Sequence, residues 1–412
     1  MNRKKLFLWS LYDFANSVVM IVFFLYYSQW LVVDRGVPDF WFNMTFVGSS
    51  LLFLLTVPVA AAVVDKIKTQ MPGLRITTIL AAVFYSLTGF IALQFPEYYI
   101  WSIITYSFAT YFYLFSFTFY NPLLNEIAPP ERHGIASGWG MFGDWAGQMA
   151  GLLVTLPLAT GAIIFWGAPG RASTLIPATL LFFICALPML IFFKENAVRV
   201  SLPINLKEEY KKVFGSLKKL CRLPGVGLFF LAYFFFNDAV TTAGNNFPIY
   251  TEKLFGVPDE LKSYLLMGII VTSAIGAPLS GYLADKFGFK KVLLYILAGW
   301  VVVMPLLALA KNFSLFVVIC MFMGLFYGAI WTVTRAYLVR LTPPEMLNRS
   351  FTYYTLMERF ATFIGPISWG LIVMYLPKAG AFNYRFAAAA MTVFVIIGLI
   401  LARRLPEKIV ME

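Results

Sequence analysis

The sequence predicts an all-α membrane protein with twelve transmembrane helices arranged as two pseudo-symmetric six-helix bundles. Of its 412 residues, 60% are hydrophobic and 13% are charged, whereas soluble domains have about 25% charged residues. About six apolar segments lie on each side of one long polar stretch, and each has the roughly 20 residues that a helix needs to cross a hydrocarbon layer. Finally, most of the basic residues fall in loops that would lie on the same side of the membrane.

The long polar stretch runs from Lys194 to Arg222 and contains eight of the 32 Lys and Arg residues. Because it separates two sets of apolar segments, it predicts the domain organisation. We expect an N-terminal bundle at residues 1–193, a basic cytosolic linker at 194–224 and a C-terminal bundle at 225–412.

The placement of the basic residues predicts the orientation of the chain. Twenty-three of them fall in predicted cytosolic segments and seven on the other side, while Arg335 and Arg359 fall inside predicted spans. Cytosolic loops of membrane proteins carry this excess, so we expect both termini in the cytosol and the chain in the cell (inner) membrane. The net charge of +12 is therefore explained by the cytosolic loops of a protein embedded in the lipid bilayer. No nucleic-acid partner is expected.

Polar and turn-forming residues separate the spans of the first bundle. Asp13 and Asn16 interrupt the first apolar run, which we interpret as a retained span rather than a signal peptide. A loop with Asp39 follows it, and Pro96 marks the turn after the third span. The predicted spans lie at about 6–33, 40–64, 74–95, 99–121, from 134 onward, and 174–193.

The second half repeats this plan. Residues 65–66 and 285–286 are both Asp-Lys, and each pair follows the second span of its bundle. Residues 129–131 and 343–345 are both Pro-Pro-Glu, and such fixed-offset similarity indicates two homologous bundles. The predicted spans lie at about 225–250, 262–284, 289–310, 314–340, 349–376 and 384–402.

The loop GYLADKFGFKK at residues 281–291 resembles the signature loop of the major facilitator superfamily. Within that superfamily, three further stretches resemble the vacuolar amino-acid effluxer family and its bacterial relatives. They are WSLYDFANS at 9–17, YNPLLNEIAPPERHGIASGWG at 120–140 and LAYFFFNDAVTT at 231–242.

This resemblance implies a secondary transporter whose two bundles rock around a midplane cavity. It also implies that Asp285, next to Lys286, latches the cytosolic side of the outward-facing state, since a carboxylate can accept hydrogen bonds at a helix N-terminus. The first-half copy of the loop keeps Asp65 but lacks both glycines. The family resemblance makes amino acids the expected substrates.

Ionisable side chains inside a span cost about 2.5–3.5 kcal/mol each on insertion scales, so they normally face a cavity or a partner. The residues of this kind in the predicted spans are Asp13, Asp144, Asp238, Arg335, Glu358 and Arg359.

Asp238 lies near the middle of its span, where substrate sites of this architecture tend to lie. It forms a polar stripe with Thr241, Thr242 and Asn245, and it is the first candidate for binding substrate or a coupling proton, because a low-dielectric site favours a neutral carboxyl group.

Asp13 and Asn16, with Ser10 and Ser17, form a second polar face on the first span. We expect Asp13 and Asn16 to face the cavity as candidates for binding substrate or a proton, and a structural ion pair or an N-terminal cap network explains that face equally well.

Asp144 and Glu358 occupy equivalent places on the fifth and eleventh spans. We expect them to pair with Arg335 and Arg359, either as static packing contacts or as gates. For Arg335, reaching the cytosolic surface is the alternative. Tyrosines recur every seven residues on the fourth span, and two of them, Tyr106 and Tyr113, are candidates for substrate contact, with core packing as the alternative.

Several motifs are absent from the sequence. It has no GxxxxGK[ST], HExxH or GxSxG motif, so no enzyme activity is expected. Its three cysteines, Cys185, Cys221 and Cys320, lack the spacing of a metal site, and no cofactor or metal is expected. Transport would then depend on an ion gradient or on the gradient of the substrate.

We therefore predict a secondary active transporter that moves a small polar solute, most simply amino acids, in a proton-coupled process. A single chain is expected to form the pathway. Two alternatives remain open: an exporter of amphipathic compounds or lipids, favoured by the aromatic and Met content, and a non-transporting membrane sensor.

Overall fold

The computed structural model describes residues 2–67, 69–128, 133–164, 167–195, 215, 218–219, 221–343, 347–378 and 381–407. Within these ranges, all regular secondary structure is helical, as the sequence predicts. Most of the basic linker and both Pro-Pro-Glu turns, apart from Pro343, lie outside the described residues.

The chain divides into two compact units. The first comprises residues 1–37 and 48–210, and the second comprises 38–47 and 211–412. The ten residues 38–47, although they come from the first half of the sequence, thus belong by their contacts to the second unit.

The first half of the sequence forms seven described helices, of which α5 is a single short turn. The first transmembrane segment continues beyond α1 through two π-helical turns, Phe23–Tyr27 and Trp30–Asp34. The helices are α1 (Arg3–Val22), α2 (Asp39–Ile67), α3 (Met71–Gln94), α4 (Tyr99–Tyr120), α5 (Leu124–Ile127), α6 (His133–Ala159) and α7 (Leu175–Phe192).

The second half forms a matching set. Its helices are α8 (Val226–Phe255), α9 (Asp259–Phe287), α10 (Phe289–Leu309), α11 (Phe313–Leu341), α12 (Leu347–Phe360), α13 (Ile364–Tyr375) and α14 (Phe382–Arg403).

Nine segments among the described residues are long and apolar enough to cross a membrane. Helix α2 with 29 residues and α6 with 27 residues are also long enough to cross a membrane. The consecutive helices α12 and α13 supply the last, which agrees with the predicted count of twelve. The protein is an integral, multi-pass membrane protein.

Glycines allow helices to approach backbone to backbone in both units. On α6, a methyl group at Gly147 would lie 2.2 Å from the carbonyl oxygen of Phe14 on α1. On α11, a methyl group at Gly328 would lie 2.1 Å from the carbonyl oxygen of Ser273 on α9. Such close packing of small residues is a main source of helix association in membranes.

The predicted eleventh span is not one continuous helix, because α12 ends at Phe360 and α13 begins at Ile364. Two features break the helical hydrogen-bond ladder here. Pro366 has no backbone N–H group, and the N–H group of Gly365 donates to the Asp238 carboxylate at 2.6 Å instead of to a carbonyl one turn earlier. The interruption therefore depends on a side chain from another helix, α8.

Candidate functional site

A buried polar cluster lies where α8 packs against the interruption between α12 and α13. Asp238 and Thr242, one helical turn apart on α8, are both fully buried. Asp238 Oδ2 accepts the hydrogen bond from the Gly365 N–H group. Asp238 Oδ1 and Thr242 Oγ1 have no hydrogen-bond partner among the described residues.

The two unpaired oxygen atoms face the same small space beside Gly365. A methyl group at Gly365 would lie 2.3 Å from Thr242 Oγ1 and 2.8 Å from Asp238 Oδ1, so the two oxygens are at most 5.1 Å apart. Glycine is required here because any side chain would fill this space. A buried carboxylate oxygen and a buried hydroxyl without partners normally indicate a ligand, an ion or an ordered water.

The other two residues of the predicted α8 stripe are less buried than Asp238 and Thr242. Thr241 and Asn245 are half-buried. Asn237, which was not predicted as a site residue, is buried and accepts a hydrogen bond from the Trp331 indole at 3.2 Å. Gly365 was also missed as a site residue. Its signal was the Gly-Pro pair inside an apolar span, which predicts a break in a helix.

Glu358 lies in a network of hydroxyl groups. Tyr233 on α8 donates to Glu358 Oε1 at 2.9 Å, and the Tyr354 hydroxyl lies 2.9 Å from Thr334 Oγ1. Arg335 interacts electrostatically with Glu358, although the side chains do not form an ion pair within 4 Å. The side chain of Arg359 lies outside the described residues.

In the first unit, Asp144 on α6 is held by two donors. Ser17 on α1 donates to Asp144 Oδ1, and the Gln148 amide donates to Asp144 Oδ2 at 2.9 Å. Asp13 also faces α6, since a methyl group at Gly140 would lie 2.6 Å from its Oδ2 atom. The structure thus brings these two predicted acids to one helix interface, between α1 and α6.

Asn16 lies one turn from Asp13 on α1 and is 2% exposed. Neither its amide nitrogen nor its amide oxygen has a hydrogen-bond partner in the described part of the chain. A buried side-chain amide normally bonds to protein or to water. Asn16 is therefore one of several described side chains on α1, with Trp9 and Ser10, whose buried polar atoms have no hydrogen-bond partner.

The two candidate tyrosines have different surroundings. Tyr106 is buried among aromatic rings, with its ring centroid 4.4 Å from that of Tyr27 and 5.7 Å from that of Phe23. Tyr113 is half-buried and packs edge-on against Phe117 at 5.3 Å. These contacts favour a packing role for Tyr106, whereas Tyr113 keeps part of its surface accessible.

The predicted latch residues lie at the C-terminal end of α9. Asp285 and Lys286 are exposed, and no hydrogen bond or ion pair joins Asp285 to another described side chain. The Lys286 ammonium group lies over the Phe287 ring, 5.3 Å from its centroid. Asp65 is part of α2, but its side chain lies outside the described residues.

A second buried polar cluster in the second unit was not predicted. Asp39, at the start of α2, accepts a hydrogen bond from the Tyr384 hydroxyl at 2.7 Å. One turn later, the side-chain amides of Asn43 and Asn246 exchange two hydrogen bonds of 2.9 Å each. Asp39, Asn43 and Asn246 are buried, so these contacts attach residues 38–47 firmly to the second unit.

Among the described residues, no group of three or more His, Cys, Asp or Glu side chains has an arrangement that suits a metal ion. The three cysteines are free thiols. Partial burial raises the pKa of the Cys221 thiol in the linker, so this cysteine is not activated as a nucleophile.

Comparison with known proteins supports the architecture over nearly the whole chain. The sequence profile of the Major Facilitator Superfamily matches residues 229–409. An uncharacterised transporter of that type from Bacillus subtilis, YxiO, is 22% identical over 97% of this chain and 94% of its own length. The multidrug resistance protein MdtG of Proteus mirabilis is 25% identical over 70% of this chain and 69% of its own length.

A solved structure has the same fold. The crystal structure of a bacterial homologue of the human lysosomal transporter Spinster matches with a TM-score of 0.76 at 14% identity, and the match covers 97% of this chain and 96% of the other. These similarities confirm the predicted fold and the resemblance to the superfamily.

Proposed function

We propose that this chain, a transporter of the major facilitator superfamily and not an enzyme, moves a small polar solute, most simply an amino acid, by alternating access. The observation that carries this proposal is the unpaired polar cluster of Asp238 and Thr242. It lies near the middle of the 30-residue helix α8, and substrate and ion sites of secondary transporters lie near the membrane midplane at interrupted helices.

The energetic cost of this cluster supports a binding role. A buried carboxylate oxygen without a partner is destabilising unless something binds it. Ionisable residues inside membrane helices are rare because of this cost, and those that occur usually mark a substrate or ion pathway. We therefore expect a substrate or an ion to bind the unpaired oxygen atoms of Asp238 and Thr242 during the transport cycle.

The chemistry of the polar residues suits a zwitterionic solute. Carboxylates such as Asp13 and Asp238 can bind an ammonium group, and the unpaired amide of Asn16 can donate to a carboxylate and accept from an ammonium. The resemblance to amino-acid effluxers leads to the same substrate class. We infer further that a single chain forms the complete transport pathway, that both termini are cytosolic and that the protein lies in the cell membrane.

The test is counterflow in proteoliposomes that contain the purified chain and a pooled set of labelled amino acids. Uptake is measured without an ion gradient, with an imposed pH gradient and with an imposed sodium gradient. We expect saturable counterflow of a subset of amino acids, accelerated by at least one gradient, and a loss of that flux in Asp238→Asn. No counterflow from folded protein would refute amino-acid transport.

Thr251→Val is the matched control for these variants. Thr251 lies on the same helix and is as fully buried as Thr242, but its hydroxyl is already bonded to the Phe247 carbonyl oxygen at 2.8 Å. We expect this variant to retain wild-type flux. A loss of flux in Thr251→Val as large as that in Asp238→Asn would mean that the assay reports general damage to α8.

A second candidate function is export of amphipathic compounds. It is favoured by the aromatic content of 18% and by the similarity to a protein whose name indicates drug resistance. Inhibition of amino-acid counterflow by hydrophobic cations or lysolipids, together with flux of the labelled cation itself, would support it. Binding of a solute without any flux would instead support a sensor.

A further inference from the structure

We propose that Asp238, Thr242 and the interruption between α12 and α13 form a binding site for a monovalent metal cation, with Na⁺ as the best-fitting ion. This inference deepens the proposed function, on which it rests, because the bound ion would be the one that couples transport. The proposed ligands are the side chains of Asp238 and Thr242 on α8 and a main-chain carbonyl oxygen at the end of α12.

The first two ligands are the oxygen atoms that lack partners. Asp238 Oδ1 and Thr242 Oγ1 are buried and at most 5.1 Å apart. Oxygen ligands lie about 2.3–2.6 Å from Ca²⁺, whose radius is close to that of Na⁺, so one such ion can bridge two oxygens separated by up to roughly 5 Å. The upper limit of 5.1 Å on the distance between Asp238 Oδ1 and Thr242 Oγ1 is compatible with such bridging.

The third ligand is a main-chain carbonyl oxygen at the interruption. In a continuous helix, the carbonyl oxygen of Ala361 would accept a hydrogen bond from the N–H group of Gly365. That N–H group donates to Asp238 Oδ2 instead. The Ala361 carbonyl therefore loses its helical donor at the C-terminal end of α12, where the helix dipole favours a positive charge.

The carboxylate of Asp238 thus has two different surroundings. Its Oδ2 atom is bound by the N-terminal end of α13, while Oδ1 is left for a positively charged partner. Discontinuous helices in other transporter folds use freed carbonyls and half-helix C-terminal ends in the same way to bind Na⁺. The interruption supplies both helix ends at one point.

The charge of the site favours a monovalent ion over a divalent one. Among the described residues, Asp238 is the one carboxylate placed in the cluster, and no group of three acidic, His or Cys side chains there is arranged for a metal. One carboxylate neutralises one positive charge, whereas a divalent ion would leave a net charge buried in a low-dielectric region. Hard oxygen ligands, in turn, exclude a preference for soft transition metals.

The test measures ion binding directly and needs no substrate. The purified full chain is unfolded thermally in NaCl, KCl or choline chloride at constant ionic strength. We expect a saturable, Na⁺-specific rise in Tm of about 2–5 °C, together with binding of about one ²²Na⁺ per chain. A Tm that depends on pH but not on Na⁺ would show a proton site and overturn the proposal.

Variants then assign the site to its ligands. Thr242→Val, which removes only the hydroxyl, and Gly365→Ala, which places a methyl group in the site, should each abolish the Na⁺-dependent shift. Thr242→Ser should restore it, and Thr251→Val should leave it intact. A Na⁺ shift that persists in Thr242→Val and Asp238→Asn would mean that Na⁺ binds elsewhere, and the proposal would be wrong.

The readout separates this proposal from the transport function. If Na⁺ binds as described but amino acids are not carried, only the substrate assignment fails. If amino acids are carried but ²²Na⁺ does not bind to the wild-type chain, only the cation site fails.

Discussion

Replacing Gly328 by alanine tests the close contact between α9 and α11. The new methyl group would lie 2.1 Å from the carbonyl oxygen of Ser273, whereas carbon–oxygen contacts between helices are normally about 3.3–3.6 Å. The two helices must therefore separate by roughly 1 Å at this point. Because the obstructing atom belongs to the backbone, a side-chain rotation cannot relieve the contact.

The expected cost follows from this displacement. Overpacking of a close-packed interface typically costs about 1–3 kcal/mol. For a cooperative unit of about 200 residues, that corresponds to a decrease in Tm of roughly 2–12 °C. Thermal unfolding of the detergent-purified chain, followed by intrinsic fluorescence, measures it.

Gly281→Ala is the control for this substitution. Gly281 lies on α9, one of the two helices of the same contact, but a methyl group there would lie 3.8 Å from its nearest neighbour, the Thr332 Cγ2 atom. Since alanine is the better helix former by up to about 1 kcal/mol, we expect no loss of stability. If the two alanine variants unfold within 1 °C of each other, the backbone contact does not determine the stability of this unit.

Three further predictions concern polar contacts. Asn43→Ala and Asn246→Ala should each lower the free energy of unfolding by about 1–3 kcal/mol because one buried amide is left unpaired, and the double variant should lose less than the sum, as measured by a double-mutant cycle. Tyr233→Phe should lower Tm because Glu358 loses its donor at 2.9 Å, whereas Tyr264→Phe, at an exposed tyrosine, should not. Asp285→Asn should shift the population toward inward-facing forms, and unchanged cysteine accessibility on both sides of the membrane would contradict that prediction.

Hydropathy and turn residues were sufficient to predict most of the fold. Apolar length alone predicts the segments that form α3, α7 and α10, and Pro96 correctly marks the turn between α3 and α4. The interruption in the eleventh span was missed because hydropathy alone defined the span, and the Gly365-Pro366 pair within it was not used as a helix-breaking signal. Its cause includes a hydrogen bond to Asp238, which is 127 positions away in the sequence.

The candidate site was predictable only in part. Asp238 was selected because a carboxylate in the middle of a span is costly. Helical spacing grouped it correctly with Thr242, but spacing cannot show which atoms find partners. The role of Gly365 depends on the distance between two helices, and that distance is a property of packing. For the same reason, the assignment of Asp39 and Asn43 to the second unit could not be read from the sequence.

The reciprocal amide pair of Asn43 and Asn246 has a consequence for how the protein responds to the voltage across its membrane. A membrane potential of 100 mV does about 2.3 kcal/mol of work on each elementary charge that crosses it. Neither amide carries a net charge, so voltage does no such work when this pair separates or forms again. The contact can therefore hold residues 38–47 with equal strength in an energised cell and in a de-energised one.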